Sequence, residues 1–173
     1  MAGETKLYLY DADDPCMAGT ATDFVVEDPK RHARAGVRSP GDIVKALGKY
    51  SNLKWVIVDS HGKSGELALP VPFTTSNAPL LAPCSASMAA NARVLFVGCS
   101  IADGSTGRDF LVAAGSALLK GKGGVVGGST VGTYMACIEI LSFFTDAYLP
   151  KWGQLRVISF DTGGSVVKEV FVG

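Results

Sequence analysis

Three near-continuous apolar runs set the frame of the chain: Trp55-Val-Ile-Val-Asp59, Ala92-Arg-Val-Leu-Phe-Val97 and Gly123-Gly-Val-Val-Gly-Gly128. Short apolar runs without polar alternation mark strands covered on both faces, as in parallel sheets. An earlier strand is predicted over Lys6-Leu-Tyr-Leu-Tyr10, ending in the acidic Asp11-Ala-Asp13-Asp14. Residues 15–38 read as an irregular segment, acidic at first and basic later through Lys30, Arg31, Arg34 and Arg38. Ser39-Pro40-Gly41-Asp42 predicts a helix start, with Ser39 capping, Pro40 at the first helical position and Asp42 facing the positive end of the helix dipole. Ile43, Val44 and Leu47 give that helix an apolar face, and Gly48 lies near its end. The stretch from Leu67 to Ala92 holds Pro70, Pro72, Pro79 and Pro83 and reads as loop or short hairpin. A second helix is predicted from a Thr106 cap, with Asp109 as capping-box partner and Leu111, Ala114 and Leu118 on one face, to a stop at Lys120-Gly121. A third is predicted over 134–148, stopped at Pro150, and two strands over 155–160 and 166–172 around Asp161-Thr-Gly-Gly164. Strand and helix alternate, which predicts one α/β domain over 1–173: a three-layer sandwich with a mainly parallel central sheet and an antiparallel edge from the last two strands.

Composition narrows the function classes. Sixteen Lys and Arg balance sixteen Asp and Glu, so the excess of positive charge that phosphate binding requires is missing, and no nucleic-acid partner is expected. No secretory signal or membrane-spanning stretch is visible, because the longest uncharged stretch is broken by its prolines. No membrane partner is therefore expected, and the cytoplasm is the expected compartment. Cys16, Cys84, Cys99 and Cys137 form no C-x-x-C pair, and His32 and His61 are the two histidines. That pattern predicts neither a zinc site nor a disulfide scaffold; most of the thiols are expected to be buried, with His32 exposed.

Two residues able to do chemistry stand at the carboxyl ends of apolar runs, where open α/β sheets bind ligands. His61 follows the Trp55 run and Cys99 follows the Ala92 run. A thiol needs a base to become a thiolate nucleophile, and imidazole supplies one within hydrogen-bond reach. Adjacent parallel strands would bring the two together across 38 positions. Gly62 and Gly98 beside them leave room for a substrate backbone, and the amides of Gly62 and Cys99 could hold an oxyanion. No metal or organic cofactor is needed for this chemistry.

The arrangement resembles the caspase, legumain and gingipain clan of cysteine peptidases, in which a His-Gly follows one apolar strand and a Cys follows the next. Here these are Val56-Ile-Val-Asp-Ser-His61-Gly62 and Val94-Leu-Phe-Val-Gly-Cys99. The span from Trp55 to Thr133 also resembles a bacterial caspase-like domain family, in His61-Gly62-Lys-Ser-Gly65-Glu-Leu67, Gly98-Cys99-Ser-Ile-Ala102-Asp-Gly104, Gly107 with Phe110, and Gly127-Gly-Ser129-Thr130. The resemblance implies a caspase-like fold and a cysteine endopeptidase acting on a peptide or protein. It also implies a substrate pocket partly built from the loop after the first strand. Asp11, Asp13 and Asp14 occupy that loop, with Asp103 as a further acidic candidate and Ser129 and Thr130 as neighbours. An acidic pocket favours cleavage after Lys or Arg. The basic stretch from Lys30 to Arg38 would then be a candidate self-cleavage linker. The chain departs from the caspase signature: Val97-Gly98 stands where Gln-Ala would precede the cysteine, and Ser100-Ile101 follows it. Specificity for Asp is therefore not implied. A catalytically inactive caspase-like binding or regulatory module is the alternative, and a flavodoxin-like small-molecule binder is a second.

Other motifs fail on position. Gly62-Lys63-Ser64 imitates a phosphate-binding loop, but Ile57 stands where the first glycine is required. No glycine-rich dinucleotide fingerprint opens a helix after the first strand. A serine elbow at Ser100 would need its histidine later in the chain, and both histidines precede it.

Overall fold

The computed structural model describes residues 5–131 and 155–172. In chain order the elements are β1 (Thr5–Asp11), α1 (Pro15–Glu27), β2 (His32–Val37), α2 (Pro40–Leu47), β3 (Leu53–Asp59), β4 (Gly62–Lys63), β5 (Glu66–Leu67) and β6 (Phe73–Thr74). A 3-10 segment (Ala78–Ser87) follows, then β7 (Met88–Val97), α3 (Gly104–Leu118), β8 (Gly124–Ser129), β9 (Leu155–Phe160) and β10 (Val166–Val172). Among the described residues seven strands form one sheet in the order β10-β9-β8-β7-β3-β1-β2. From β2 through β8 all neighbours are parallel, and β9 and β10 close the far side antiparallel. The α/β architecture with a largely parallel sheet and an antiparallel edge is the one the apolar runs predict. The helix expected over 134–148 lies outside the described residues.

The strand order reverses between β1 and β3. The chain first steps outward to β2, then returns past β1 and builds in the other direction. Right-handed crossovers put connections running in opposite directions on opposite faces. Accordingly Ala21 and Phe24 of α1 pack on Tyr8, Ile57 and Leu95 on one face. Ile43 and Leu47 of α2, with Phe110, Leu111 and Ala114 of α3, pack on Leu9, Val58, Val94 and Phe96 on the other. Phe73, Phe96 and Phe110 meet there ring to ring, with centroids 5.0–5.9 Å apart, and join β6, β7 and α3. Among the described residues no helix is long and apolar enough to cross a membrane.

Residues 15–38 are not irregular: they form α1, a turn and β2. Gly19, Thr20 and Thr22 weaken the helical signal of α1, since glycine and β-branched residues are poor helix formers. Its start was nevertheless written in Asp14-Pro15: the Asp14 carboxylate accepts the amides of Cys16 and Met17, and Pro15 takes the first turn. The basic stretch is thus an exposed turn and an edge strand and not a linker, and Arg34 sits in the β1–β2 ladder. His32 is buried, against expectation. Its ring stacks on Phe24 at 4.2 Å, and Nδ1 lies 2.6 Å from the Phe24 carbonyl oxygen. Of the thiols, Cys16 is exposed and Cys84 is buried. The proline-rich stretch supplies β5, β6 and the 3-10 segment, and β7 begins at Met88, before the expected Ala92. Helix α3 starts at Gly104, ahead of the expected Thr106 cap.

Candidate active site

Because β1, β2, β3, β7 and β8 run in one direction, the loops after them share one edge of the sheet. That edge carries the Asp11–Asp14 loop, Arg38, His61, Cys99 and Thr130. The reversal between β1 and β3 opens the place where such sheets hold ligands, and the loops bearing Asp14 and His61 flank it.

The His61 and Cys99 loops are joined by backbone. Asp59 pairs with Val97 at the end of the β3–β7 ladder, and the Ser60 amide donates to the Val97 carbonyl at 3.0 Å. Just beyond, Gly62 and Gly98 touch: a methyl built on Gly62 would lie 3.2 Å from Gly98 Cα. The hairpin β4–β5 then reaches across the Cys99 loop. The Gly65 amide donates to the Ile101 carbonyl at 3.0 Å, and the Ser64 hydroxyl donates to the Asp103 carbonyl at 2.7 Å. From the other side the Ser100 and Ala102 amides donate to the carbonyls of Val131 and Ser129. The glycines that carry the sequence resemblance are therefore the ones that let the two loops meet.

Cys99 is half-buried. Ser100 after it has φ +53°, a left-handed conformation that costs a non-glycine residue about 1–2 kcal/mol. Such strain persists where surrounding bonds over-determine the backbone, and it clusters at functional sites. His61 is the open partner: its side chain is 73% exposed, and Nε2 lies 3.2 Å from Asp14 Oδ2. A carboxylate on Nε2 fixes the proton there and leaves Nδ1 as the basic nitrogen. Asp14 thereby has two tasks, since its Oδ1 caps α1. The Met17 amide is the main cause holding its carboxyl below the ordinary range, with help from the Cys16 amide and from His61. The proposed oxyanion donors fit this frame in one respect. The His61 carbonyl accepts the Ala68 amide, and Gly62 faces Leu67, so the β4–β5 ladder does not use the Gly62 amide.

The other predicted residues divide. Asp11 is buried and accepts the Asp13 amide. Asp13 is exposed and paired to Arg38 at 2.8 Å. With Asp14 on His61, each carboxylate of the loop after β1 has a partner within the chain. Asp103 is exposed at the head of α3 and makes no side-chain bond to that helix. The Ser129 hydroxyl is occupied by Val131, and Thr130 is half-buried beside it. Among the described residues no cluster of His, Cys, Asp or Glu could hold a metal ion.

Asp59 was not singled out by the sequence, although a carboxylate ending an apolar run two residues before a histidine is a usable signal. It is 7% exposed and accepts a 2.6 Å hydrogen bond from the Tyr8 hydroxyl. Burial pushes its carboxyl from the ordinary 3.8 up to about 6; the Tyr8 bond and His61 oppose this, and the Asp14 charge adds to it. Between about pH 4 and pH 6 the folded chain keeps a proton that the unfolded chain has lost, so this group makes stability fall as pH rises through that window. We expect Asp59→Asn to remove that slope. Denaturant midpoints of the two proteins measured across the window should diverge in favour of the variant as pH rises; parallel curves would show that Asp59 does not titrate there.

No family model matches this chain, and neither a curated protein nor a solved structure matches it.

Proposed function

We propose that this chain is a caspase-like cysteine endopeptidase in which Cys99 is the nucleophile and His61 the base. The observation that carries the reading is the junction of their two loops at the strand ends, with Asp14 on Nε2 of the imidazole. In the reaction the Cys99 proton passes to Nδ1 of His61, and Sγ bonds to the scissile carbonyl carbon. The oxygen becomes an oxyanion facing the Gly62 and Cys99 amides. The C–N bond then breaks, the leaving amine takes the proton from His61, and a thioester remains. Water, deprotonated by His61, attacks that thioester and releases the acid and the thiol. Asp14 keeps the imidazole in the useful tautomer and offsets its charge when protonated.

Preference for Lys or Arg before the cleaved bond belongs to the same proposal. Asp103 is its best support, because the carboxylates after β1 are engaged. Labelling with acyloxymethyl ketones bearing Arg or Asp next to the reactive carbon tests both parts. We expect the Arg probe to be found on Cys99 by mass mapping and the Asp probe to react more slowly. No adduct on Cys99 from either probe would end the peptidase reading, and a faster Asp probe would end the basic preference.

A further inference from the structure

We infer that Arg156, on β9, is a positioning residue for Cys99: its guanidinium holds the carbonyls that fix the loop carrying the nucleophile. This rests on the peptidase reading for its consequence in catalysis but not for the contact itself. The Arg156 side chain is 11% exposed. One nitrogen, Nη1, donates to the carbonyl oxygens of both Ala102 at 2.7 Å and Gly104 at 2.5 Å. These oxygens lie where the Cys99 loop passes into α3. A buried cation needs a counter-charge, and Glu169 on β10 supplies it. Its Oε1 lies 3.1 Å from Arg156 Nε, near enough for attraction although off the N–H direction. Its Oε2 takes the Arg108 Nε hydrogen bond at 2.8 Å, and Arg108 belongs to α3 itself. The Phe171 ring covers the guanidinium, 4.8 Å from Cζ.

The geometry puts Arg156 at the far end of one strained segment. Cys99 and Ala102 are three residues apart, a reach of at most about 11 Å, so Arg156 acts on the sulfur through the loop. Ser100 keeps its left-handed backbone only while the residues after it are held. Two of the holding bonds come from the carbonyls of Ser129 and Val131. Arg156 supplies the grip on the far end of the loop, and lysine is a poor replacement: its single ammonium cannot both donate to the two carbonyls and keep a nitrogen at the Nε position beside Glu169.

The test uses the full chain with Arg156→Lys, and with Glu169→Gln as a milder variant that retains the guanidinium. Hydrolysis of a fluorogenic peptide with Arg before the cleaved bond gives kcat and KM separately, and amide hydrogen exchange reports the loop. We expect Arg156→Lys to lower kcat about tenfold with KM unchanged, since small misplacements of a reacting group are costly. Amides 100–102 should exchange faster while those of β3 do not. Glu169→Gln should shift both readouts the same way by less, and it decides the matter if the lysine variant does not fold. Unchanged exchange at 100–102 in the folded variants overturns the positioning role, as does kcat within twofold of the parent. If the parent chain does not cleave the peptide at all, the peptidase reading fails and the exchange result alone judges Arg156.

Discussion

Cys99→Ala and His61→Ala should each lower kcat/KM for peptide hydrolysis by at least about 10⁴-fold, the size of loss seen when one member of a cooperating catalytic set is removed. In the proposed reaction Sγ forms the bond to the substrate and the imidazole moves every proton, so neither variant has a substitute route at neutral pH. The fold should survive both changes. Cys99 is only half-buried, and the His61 side chain is largely in water, so the core loses little. Circular dichroism and the denaturant midpoint should stay near those of the parent. Asp14→Asn belongs to the same series with a smaller loss, about tenfold to a hundredfold. It keeps the helix cap in part but no longer fixes the proton on Nε2 or balances the imidazolium. Full turnover by either alanine variant would remove the dyad from the mechanism. Equal loss in all three, with an unfolded spectrum, would mean that Asp14 acts through α1 and not through His61.

The parts of this molecule that were legible in the sequence are those where one signal dominates. Val56-Ile-Val58 and Val94-Leu-Phe-Val97 are buried strands because nothing polar interrupts them, and Ser39-Pro40 starts α2 because cap and proline agree. The turn residues after β3 and β7 then placed His61 and Cys99 on a common edge. What stayed hidden depends on partners remote in sequence. Asp14 looks like any acid in a turn until α1 forms behind it and β3 delivers His61 in front of it. Arg156 is a basic residue in a short strand, and only the sheet order brings it under Ala102, 54 positions earlier. Asp59 gains its raised pKa from burial that no local pattern announces, and the Tyr8 hydroxyl that partly offsets the rise lies 51 positions away. Helix α1 was masked by its own glycine and threonines, because propensity over 13 residues argued against the cap that begins it.

Glycine in a helix usually weakens it by about 1 kcal/mol relative to alanine, yet Gly107→Ala should destabilise this chain. The reason lies under α3. A methyl built on Gly107 would stand 2.3 Å from the Ala102 carbonyl carbon and 2.7 Å from both Ala102 Cα and the Ile101 oxygen. All three are backbone atoms of the Cys99 loop, so no side chain can rotate away. Either α3 lifts or the loop moves, and that loop is already held by Ser129, Val131, Gly65 and Arg156. Overpacking of this kind costs from about 1 to 3 kcal/mol and sometimes more, and rigid neighbours put it at the upper end. Subtracting the helical gain of alanine does not change the sign, and a net loss of about 2 kcal/mol is expected. Gly19 in α1 is the internal control: nothing lies within 4 Å of a methyl built there, so Gly19→Ala should raise stability by about 0.5–1 kcal/mol. Guanidinium midpoints for the two variants should therefore move in opposite directions. The Gly107 variant, where still folded, should also lose reactivity at Cys99, because the displaced segment carries the sulfur. If both glycines proved equally easy to replace, α3 would not press on Ala102, and the support assigned to the nucleophile loop would have to come from elsewhere.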